Sequence, residues 1–151
     1  MLVGVLSDTH NLLRPEVLSA LAGVEHILHA GDVGDIEILT TLRTLAPVTA
    51  IRGNIDRHGD CALLPATEMI ALGGHLVYLV HALEDLDLSP TAAGISIVVY
   101  GHSHKPCVDR RNGVLYLNPG SAGPRRFNLP VTLALVTITA TGIEARIVPL
   151  L

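Results

Sequence analysis

Apolar residues in this chain come in short unbroken runs, and the polar residues that end those runs hold most of its candidate chemistry. Met1 to Leu6 is a nearly continuous apolar run, the pattern of a strand covered on both faces, and it favours a layered α/β design. Ser7-Asp8-Thr9-His10-Asn11 breaks the run. Pro15 then suits a first helical turn, and Val17, Leu18 and Leu21 give one apolar face before Gly23, which predicts a helix of about two turns. His26 to Ala30 reads as a second strand, stopped by Gly31-Asp32. Asp35 can cap a helix whose Ile36, Leu39, Leu42 and Leu45 recur at three-residue spacing until Pro47.

Val48 to Ile51 is a third strand, stopped by Arg52-Gly53-Asn54, and the polar stretch to Pro65 reads as a loop. Glu68 to Leu72 and Leu76 to Val80 flank Gly73-Gly74, a hairpin signal, and the second of them runs into His81. Leu83 to Gly94, with Glu84, Asp85, Asp87 and a Ser89-Pro90 start signal, predicts a short surface helix, followed by a buried strand from Ile95 to Tyr100 that ends at Gly101-His102-Ser103-His104. Two more hairpins follow. Cys107 to Arg111 turns through Asn112-Gly113 into Val114 to Leu117, and Val131 to Ile138 turns through Thr141-Gly142 into Ile143 to Val148. Alternation of Glu144 and Arg146 with apolar neighbours leaves one face of the last strand wet. The elements sum to an α/β fold, a four-layer αββα sandwich of two mixed sheets with flanking helices.

Composition narrows the class. At 151 residues the expectation is a single domain spanning 1–151. With one Phe and no Trp, the core must be built from Val, Ile, Leu and Ala. No run approaches the ~20 residues of a membrane span, and the first apolar run lacks the basic flank of a leader, so a cytoplasmic protein is expected. A net charge of -4 with scattered Lys and Arg argues against an extensive nucleic-acid surface. Cys61 and Cys107 make no disulfide framework and read as free thiols. Self-association through the wet last strand stays open.

Five apolar runs end, within a few residues, in side chains that bind hard or borderline metals: Asp8 and His10, Asp32, Asn54, His81, then His102 and His104. Ligand sites in α/β sheets gather at the carboxyl ends of strands, so strand ends sharing one rim bring these seven together. All are carboxylate, imidazole or amide and none is thiolate. That donor set suits Mn, Fe, Zn, Ni or Co. His29 reads as a packed or supporting residue, and His26 and His75 as structural.

Asp8-x-His10, Gly31-Asp32, Gly53-Asn54, His81 and Gly101-His102-x-His104 resemble the successive motifs of the calcineurin-like metallophosphoesterase superfamily. The length and the Asn118-Pro119-Gly120-Ser121 turn are similar to its small prokaryotic phosphodiesterase branch, to which the phosphoesterase-like subunit of retromer is related. The resemblance implies a two-metal centre with manganese the expected ion and Fe, Zn, Ni or Co as alternatives. Asp8, His10, Asp32 and His104 would hold the first ion and Asp32, Asn54, His81 and His102 the second. Asp32 would bridge, and a hydroxide between the ions would attack a phosphate ester, making Asp32, Asn54 and His81 part of the catalytic machinery. The implied activity is a metal-dependent phosphodiesterase acting on a small phosphorylated substrate. A catalytically silent scaffold for protein partners and a phosphomonoesterase are the alternatives.

Two positions depart from the family pattern. Ile55-Asp56 follows Asn54 where many members place a His that assists the leaving group. Unactivated alkyl esters are therefore expected to react slowly unless Asp56 or His58 donates the proton. Ala82 follows His81 where Gly is frequent, a small change. Asn11, Ser121 and Arg125 are the candidate substrate contacts.

Overall fold

The computed structural model describes residues 1–151. Ten strands and three short α-helices follow the order β1 (Leu2–Leu6), α1 (Pro15–Ala20), β2 (His26–His29), α2 (Ile36–Leu42), β3 (Val48–Ala50), β4 (Thr67–Leu72), β5 (His75–Val80), α3 (Pro90–Ala93), β6 (Ile95–Val99), β7 (Cys107–Arg111), β8 (Val114–Asn118), β9 (Thr132–Ile138) and β10 (Ile143–Pro149). The stretch expected as loop before Pro65 contains a 3₁₀ turn, Gly59–Leu63, which buries Cys61. The helix expected over 83–94 is instead a 3₁₀ turn at Leu83–Asp85 and the single turn of α3. Pro90 supplies no N–H and Ser89 caps the new start.

One sheet has strand order β10-β9-β1-β2-β3, the other β4-β5-β6-β8-β7. In the first, β1, β2 and β3 are parallel, with β9 antiparallel to β1 and β10 antiparallel to β9. In the second, β5, β6 and β8 are parallel, with β4 and β7 antiparallel at the two edges. Side chains alternate along each strand, so every central strand divides its residues between two layers. Val3 and Val5 of β1, Leu28 of β2, Val77 and Leu79 of β5, and Ile97 and Val99 of β6 meet between the sheets. Leu6 and Ile27 turn outward onto Val17, Leu21, Ile38 and Leu39 of the α1 and α2 region.

The outer face of the second sheet is covered more thinly. Tyr78, Val80, Val98 and Tyr100 pack there with Leu83, Leu86 and Leu88 from the segment around α3. The result is the αββα sandwich, with one helical layer reduced to short turns. Its consequence for function lies at one rim. The parallel strands β1, β2 and β3 all point their carboxyl ends the same way, as do β5, β6 and β8, and the candidate ligands follow those ends.

Candidate metal centre

Each candidate side chain is delivered by a turn directly beyond a parallel strand. Asp8 and His10 follow β1, Asp32 follows β2, Asn54 follows β3, His81 follows β5, and His102 and His104 follow β6. The backbone is unusual at these turns. Asp8, His10, Asp32, His102 and His104 all have positive φ, between 45° and 71°. Left-handed backbone is costly for residues bearing a Cβ, and its concentration here marks a place where geometry outweighs local preference.

Close backbone approach explains two neighbouring glycines. A Cβ on Gly101 would come within 2.1 Å of Ser7 Oγ and 2.6 Å of Asp8 Oδ2, and one on Gly53 within 2.1 Å of Asp32 Oδ1. Both glycines let one ligand turn lie directly on another.

The side chains form two groups. Asp8, His10 and His104 converge in one, and Asp32, His81 and His102 in the other, the ligand atoms within each lying inside 4.8 Å of one another. In each carboxylate one oxygen is fixed and the other is free to face the imidazoles. Asp8 Oδ2 accepts from Ser7 Oγ at 2.6 Å and from the His102 N–H at 3.1 Å. Its Oδ1 is left 3.4 Å from His104 Nε2 and 3.6 Å from His10 Nε2. Asp32 Oδ1 accepts from the Ile55 N–H at 3.0 Å, while Oδ2 lies 3.2 Å from His10 Nε2 and 3.2 Å from His81 Nε2. Asp32 thus stands between the two groups.

His81 is oriented from behind. Its Nδ1 donates to the Ala30 carbonyl at 2.7 Å, so in the neutral ring Nε2 presents a lone pair. That nitrogen is 3.0 Å from Asn54 Oδ1, and His102 Nδ1 is 3.1 Å from the same oxygen. An arrangement of lone pairs aimed at one another is repulsive unless a cation or protons lie among them. The first group makes the same point. Asp8 Oδ1, His10 Nε2 and both ring nitrogens of His104 are buried without a hydrogen-bond partner, a condition that native interiors rarely tolerate. Oxygen and imidazole donors of this kind fit divalent first-row cations.

Titration behaviour follows from the same proximity. Burial opposes ionisation of Asp8, yet His10, His104 and Ser7 hold its carboxyl well below the usual range. Asp32 is lowered likewise, against burial, by His10, His81 and the Ile55 N–H. His10 is raised to about 9 by Asp32 and then Asp8. His81 is raised too, because Asp32 and the Ala30 carbonyl outweigh its burial. In the metal-free protein, protons on these rings offset the charge that cations would otherwise balance.

The remaining candidates are placed differently. Asp56 is 3% exposed and its carboxylate accepts from the N–H groups of Val33, Gly34 and Gly53 at 3.1, 2.9 and 2.8 Å. Three backbone amides occupy its carboxylate, so it is engaged with the chain itself and does not line the cavity described below. Its place is structural, joining the Asp32 turn to the Gly53-Asn54 turn. Ser121 is buried and donates its hydroxyl to the Asp8 carbonyl at 3.0 Å, so it supports the Asp8 turn and presents no free hydroxyl to a substrate. His58 is exposed just before the 3₁₀ turn and does not line the cavity described below. Asn11 and Arg125 are exposed near the Asp8 end of the rim.

Sequence reasoning placed His29 as a packed or supporting residue but missed Thr9 and the supporting role of Asn118. His29 is fully buried, accepting from the Gly31 N–H at its Nδ1, and its Nε2 lies 3.0 Å from Thr9 Oγ1, which donates to the Val33 carbonyl. That chain ties the Asp8–His10 turn to the Asp32 turn. Asn118, at the end of β8, donates to the Gly101 carbonyl and to Ser103 Oγ, steadying the His102–His104 turn. The available signal was position: each stands at or just past the end of a parallel strand. A cavity of about 460 Å³ opens beside the second group, lined by Arg52, Asn54, Thr67, His81, Glu84 and His102 among others.

Comparison with known proteins agrees with this geometry. A probable metallophosphoesterase of Methanothermobacter thermautotrophicus is 35% identical over 98% of this chain and 92% of its own. Vps29 of Entamoeba histolytica in complex with zinc superposes with a TM-score of 0.75 at 25% identity over the full length of both chains. An archaeal phosphodiesterase shares the fold, with a TM-score of 0.79, 21% identity and coverage of 98% of this chain and 100% of that one. Residues 1–141 match the calcineurin-like phosphoesterase superfamily domain, and the chain therefore belongs to that superfamily.

Proposed function

We propose that this protein is a metal-dependent phosphodiesterase that works with two divalent first-row cations, manganese foremost. Asp8, His10, Asp32 and His104 would hold one cation, and Asp32, Asn54, His81 and His102 the other. The observation that carries this reading is the position of Asp32 Oδ2, 3.2 Å from an imidazole of each group. One carboxylate shared between two sites is what a pair of closely spaced cations requires to offset their repulsion. Bound there, the cations supply Lewis acidity that offsets charge on phosphoryl oxygens and makes water a competent nucleophile near neutral pH. The zinc complex of Vps29 supports divalent-ion binding on this fold.

The chain's own residues fix the donors. Ser7 and the His102 N–H hold Asp8, the Ile55 N–H holds Asp32, and the Ala30 carbonyl sets the His81 tautomer. Because these contacts exist before substrate arrives, little reorganisation is needed during reaction. The cavity beside Asn54, His81 and His102 leaves room for an ester arm. Ile55 stands where a proton donor to the leaving group is frequent in the family, so aryl esters should react faster than alkyl esters.

The test is metal content by mass spectrometry together with hydrolysis of bis(p-nitrophenyl) phosphate and p-nitrophenyl phosphate by manganese-loaded protein. The expected result is two equivalents of metal per chain and a higher kcat/KM on the diester. Full turnover with one equivalent would overturn the paired centre. Two bound equivalents without turnover on either ester would favour a non-catalytic scaffold, the reading to which the Vps29 likeness otherwise points.

A further inference from the structure

The loop between Ser121 and β9 has no role in holding metal, yet it is built against the centre. Ser121 Oγ donates to the Asp8 carbonyl, the Ala122 N–H to the Ser7 carbonyl at 3.0 Å, and Arg14 Nε to the Gly123 carbonyl at 2.9 Å. A Cβ on Gly123 would come within 2.2 Å of the Thr9 carbonyl oxygen. The start of the loop therefore lies flat on the Ser7–Thr9 backbone. Because β9 runs antiparallel to β1, its amino end sits at the rim where β1 delivers Asp8 and His10. The loop projects from that rim.

Its composition is the opposite of what burial would select. Phe127 is the chain's single phenylalanine, and it is 86% exposed with a φ of 53°. Burial normally claims a phenylalanine, and left-handed backbone disfavours so bulky a side chain. Arg125 and Arg126 beside it are exposed and take part in none of the structure's ion pairs. The Leu129 N–H donates to the Arg126 carbonyl at 3.1 Å, closing a turn around Phe127 and Asn128. An open aromatic face next to two unpaired guanidinium groups matches a base attached to phosphate. The ring stacks on any nucleobase, and the guanidinium fork suits phosphate oxygens.

Strand order places this loop and the cavity on opposite flanks of the Asp8 and Asp32 turns. In the sequence β9-β1-β2-β3 the loop flanks one end of the ligand row and Asn54, with the 460 Å³ cavity, flanks the other. At about 4.8 Å per strand, β9 and β3 are roughly 14 Å apart, with the turns that carry Asp8, His10 and Asp32 between them. A substrate that reaches both loop and cavity must carry an arm on each side of the reacting phosphorus.

We propose that the Arg125-Arg126-Phe127 loop binds the nucleoside arm of a nucleotide phosphodiester, with Phe127 stacked on the base and the two arginines holding a further phosphate on that arm. This rests on the phosphodiesterase reading above and supplies its substrate class. A lone aromatic with two arginines offers too little apolar surface to anchor the chain on a lipid bilayer.

The experiment compares two esters with the same leaving group, thymidine 5′-(p-nitrophenyl phosphate) and methyl p-nitrophenyl phosphate, on manganese-loaded protein. Phe127→Ala should lower the thymidine-to-methyl ratio of kcat/KM by about fivefold or more, through KM, and Phe127→Tyr should restore it. In parallel, calorimetry measures binding of thymidine 3′,5′-bisphosphate and thymidine 5′-monophosphate. The advantage of the bisphosphate should disappear in an Arg125→Ala, Arg126→Ala double variant. Because these side chains are exposed, the variants are expected to fold. An unchanged ester ratio in Phe127→Ala, or equal bisphosphate binding in wild type and double variant, would overturn the proposal. So would Phe127-dependent sedimentation with anionic vesicles alongside an unchanged ratio. If wild type hydrolyses neither ester, the phosphodiesterase reading fails by itself. Calorimetry then decides the loop, with nucleotide binding that depends on Phe127 supporting it and indifferent binding rejecting it.

Discussion

His104 Nε2 stands 3.4 Å from Asp8 Oδ1, 96 positions away along the chain, and neither atom has a hydrogen bond although both are buried. An unsatisfied buried pair of this kind destabilises the metal-free fold, and a divalent ion would give both atoms a partner. Manganese at about 100 times its Kd is therefore expected to stabilise the protein by ~2.7 kcal/mol, raising Tm by about 5–10 °C over protein in chelator. His104→Ala should remove much of that rise. Thermal melts with and without manganese check it, and an equal rise in the variant would exclude His104 as a ligand.

The pH dependence of metal-free stability has a sign that can be worked out group by group. Asp32 and Asp8 raise His10 from 6.5 to about 9. The folded state then keeps a proton that the unfolded chain has released. That contribution is fully present below about 6.5 and is lost as pH rises through about 9. His29 runs the other way, since burial lowers it to about 4. Between about 6.5 and 4 the unfolded chain takes up a proton that the fold refuses, so stability falls as pH drops. Asp8 and Asp32, lowered by their partners in spite of burial, contribute above the ordinary 3.8 and lose that contribution as pH falls through their folded values. These groups place maximum metal-free stability near pH 6.5. Denaturant midpoints at pH 5, 6.5 and 8.5 measure it, and a steady rise across that range would reject the His10 assignment. Saturating manganese, which needs the unprotonated ring, should remove the alkaline decline and leave the acid one.

Asp56 separates a positioning role from a catalytic one. Its carboxylate gathers three N–H groups from two ligand turns, so Asp56→Ala is expected to cost about 3 kcal/mol or more and to weaken metal binding. Turnover of alkyl and aryl diesters should fall by the same factor, because the loss acts through the position of Asp32 and Asn54. A selective loss on the alkyl ester would return Asp56 to the role of proton donor. His58→Ala, assayed on the same two esters, tests the remaining candidate, and an equal effect on both would reject it.

The parts of this fold that depend on local pattern were readable from the chain. Unbroken runs such as Ile95 to Tyr100 announced buried strands, and the residues stopping them announced a rim. The structure brings all seven named side chains to that rim because β1, β2, β3, β5 and β6 are parallel within their sheets. What stayed hidden depends on contacts between segments. Nothing local distinguishes Asp56, whose three donors come from residues 33, 34 and 53, from a solvent-exposed aspartate. Nor does the sequence order Asn54-Ile55-Asp56 show that the Ile55 N–H faces Asp32. The helix expected over 83–94 is shorter for a different reason: the Ser89-Pro90 start signal does open a helical turn, but the polar residues before it form only the separate 3₁₀ turn at Leu83–Asp85.

Asp32 is where the paired-cation reading is most exposed to disproof. Its Oδ1 accepts from the Ile55 N–H and its Oδ2 faces His10 and His81 equally. In Asp32→Asn the amide oxygen can still accept from Ile55, so the turn should keep its shape while the shared negative charge is gone. Two cations would then repel one another without an anion between them. Metal content is expected to fall from two equivalents to one or none, and diester turnover by about 10³ or more. Metal analysis and hydrolysis rates on the same preparation give the answer. A variant that binds two equivalents and turns over normally would show that the charge on Asp32 is dispensable, and the two imidazole groups would have to act as separate sites.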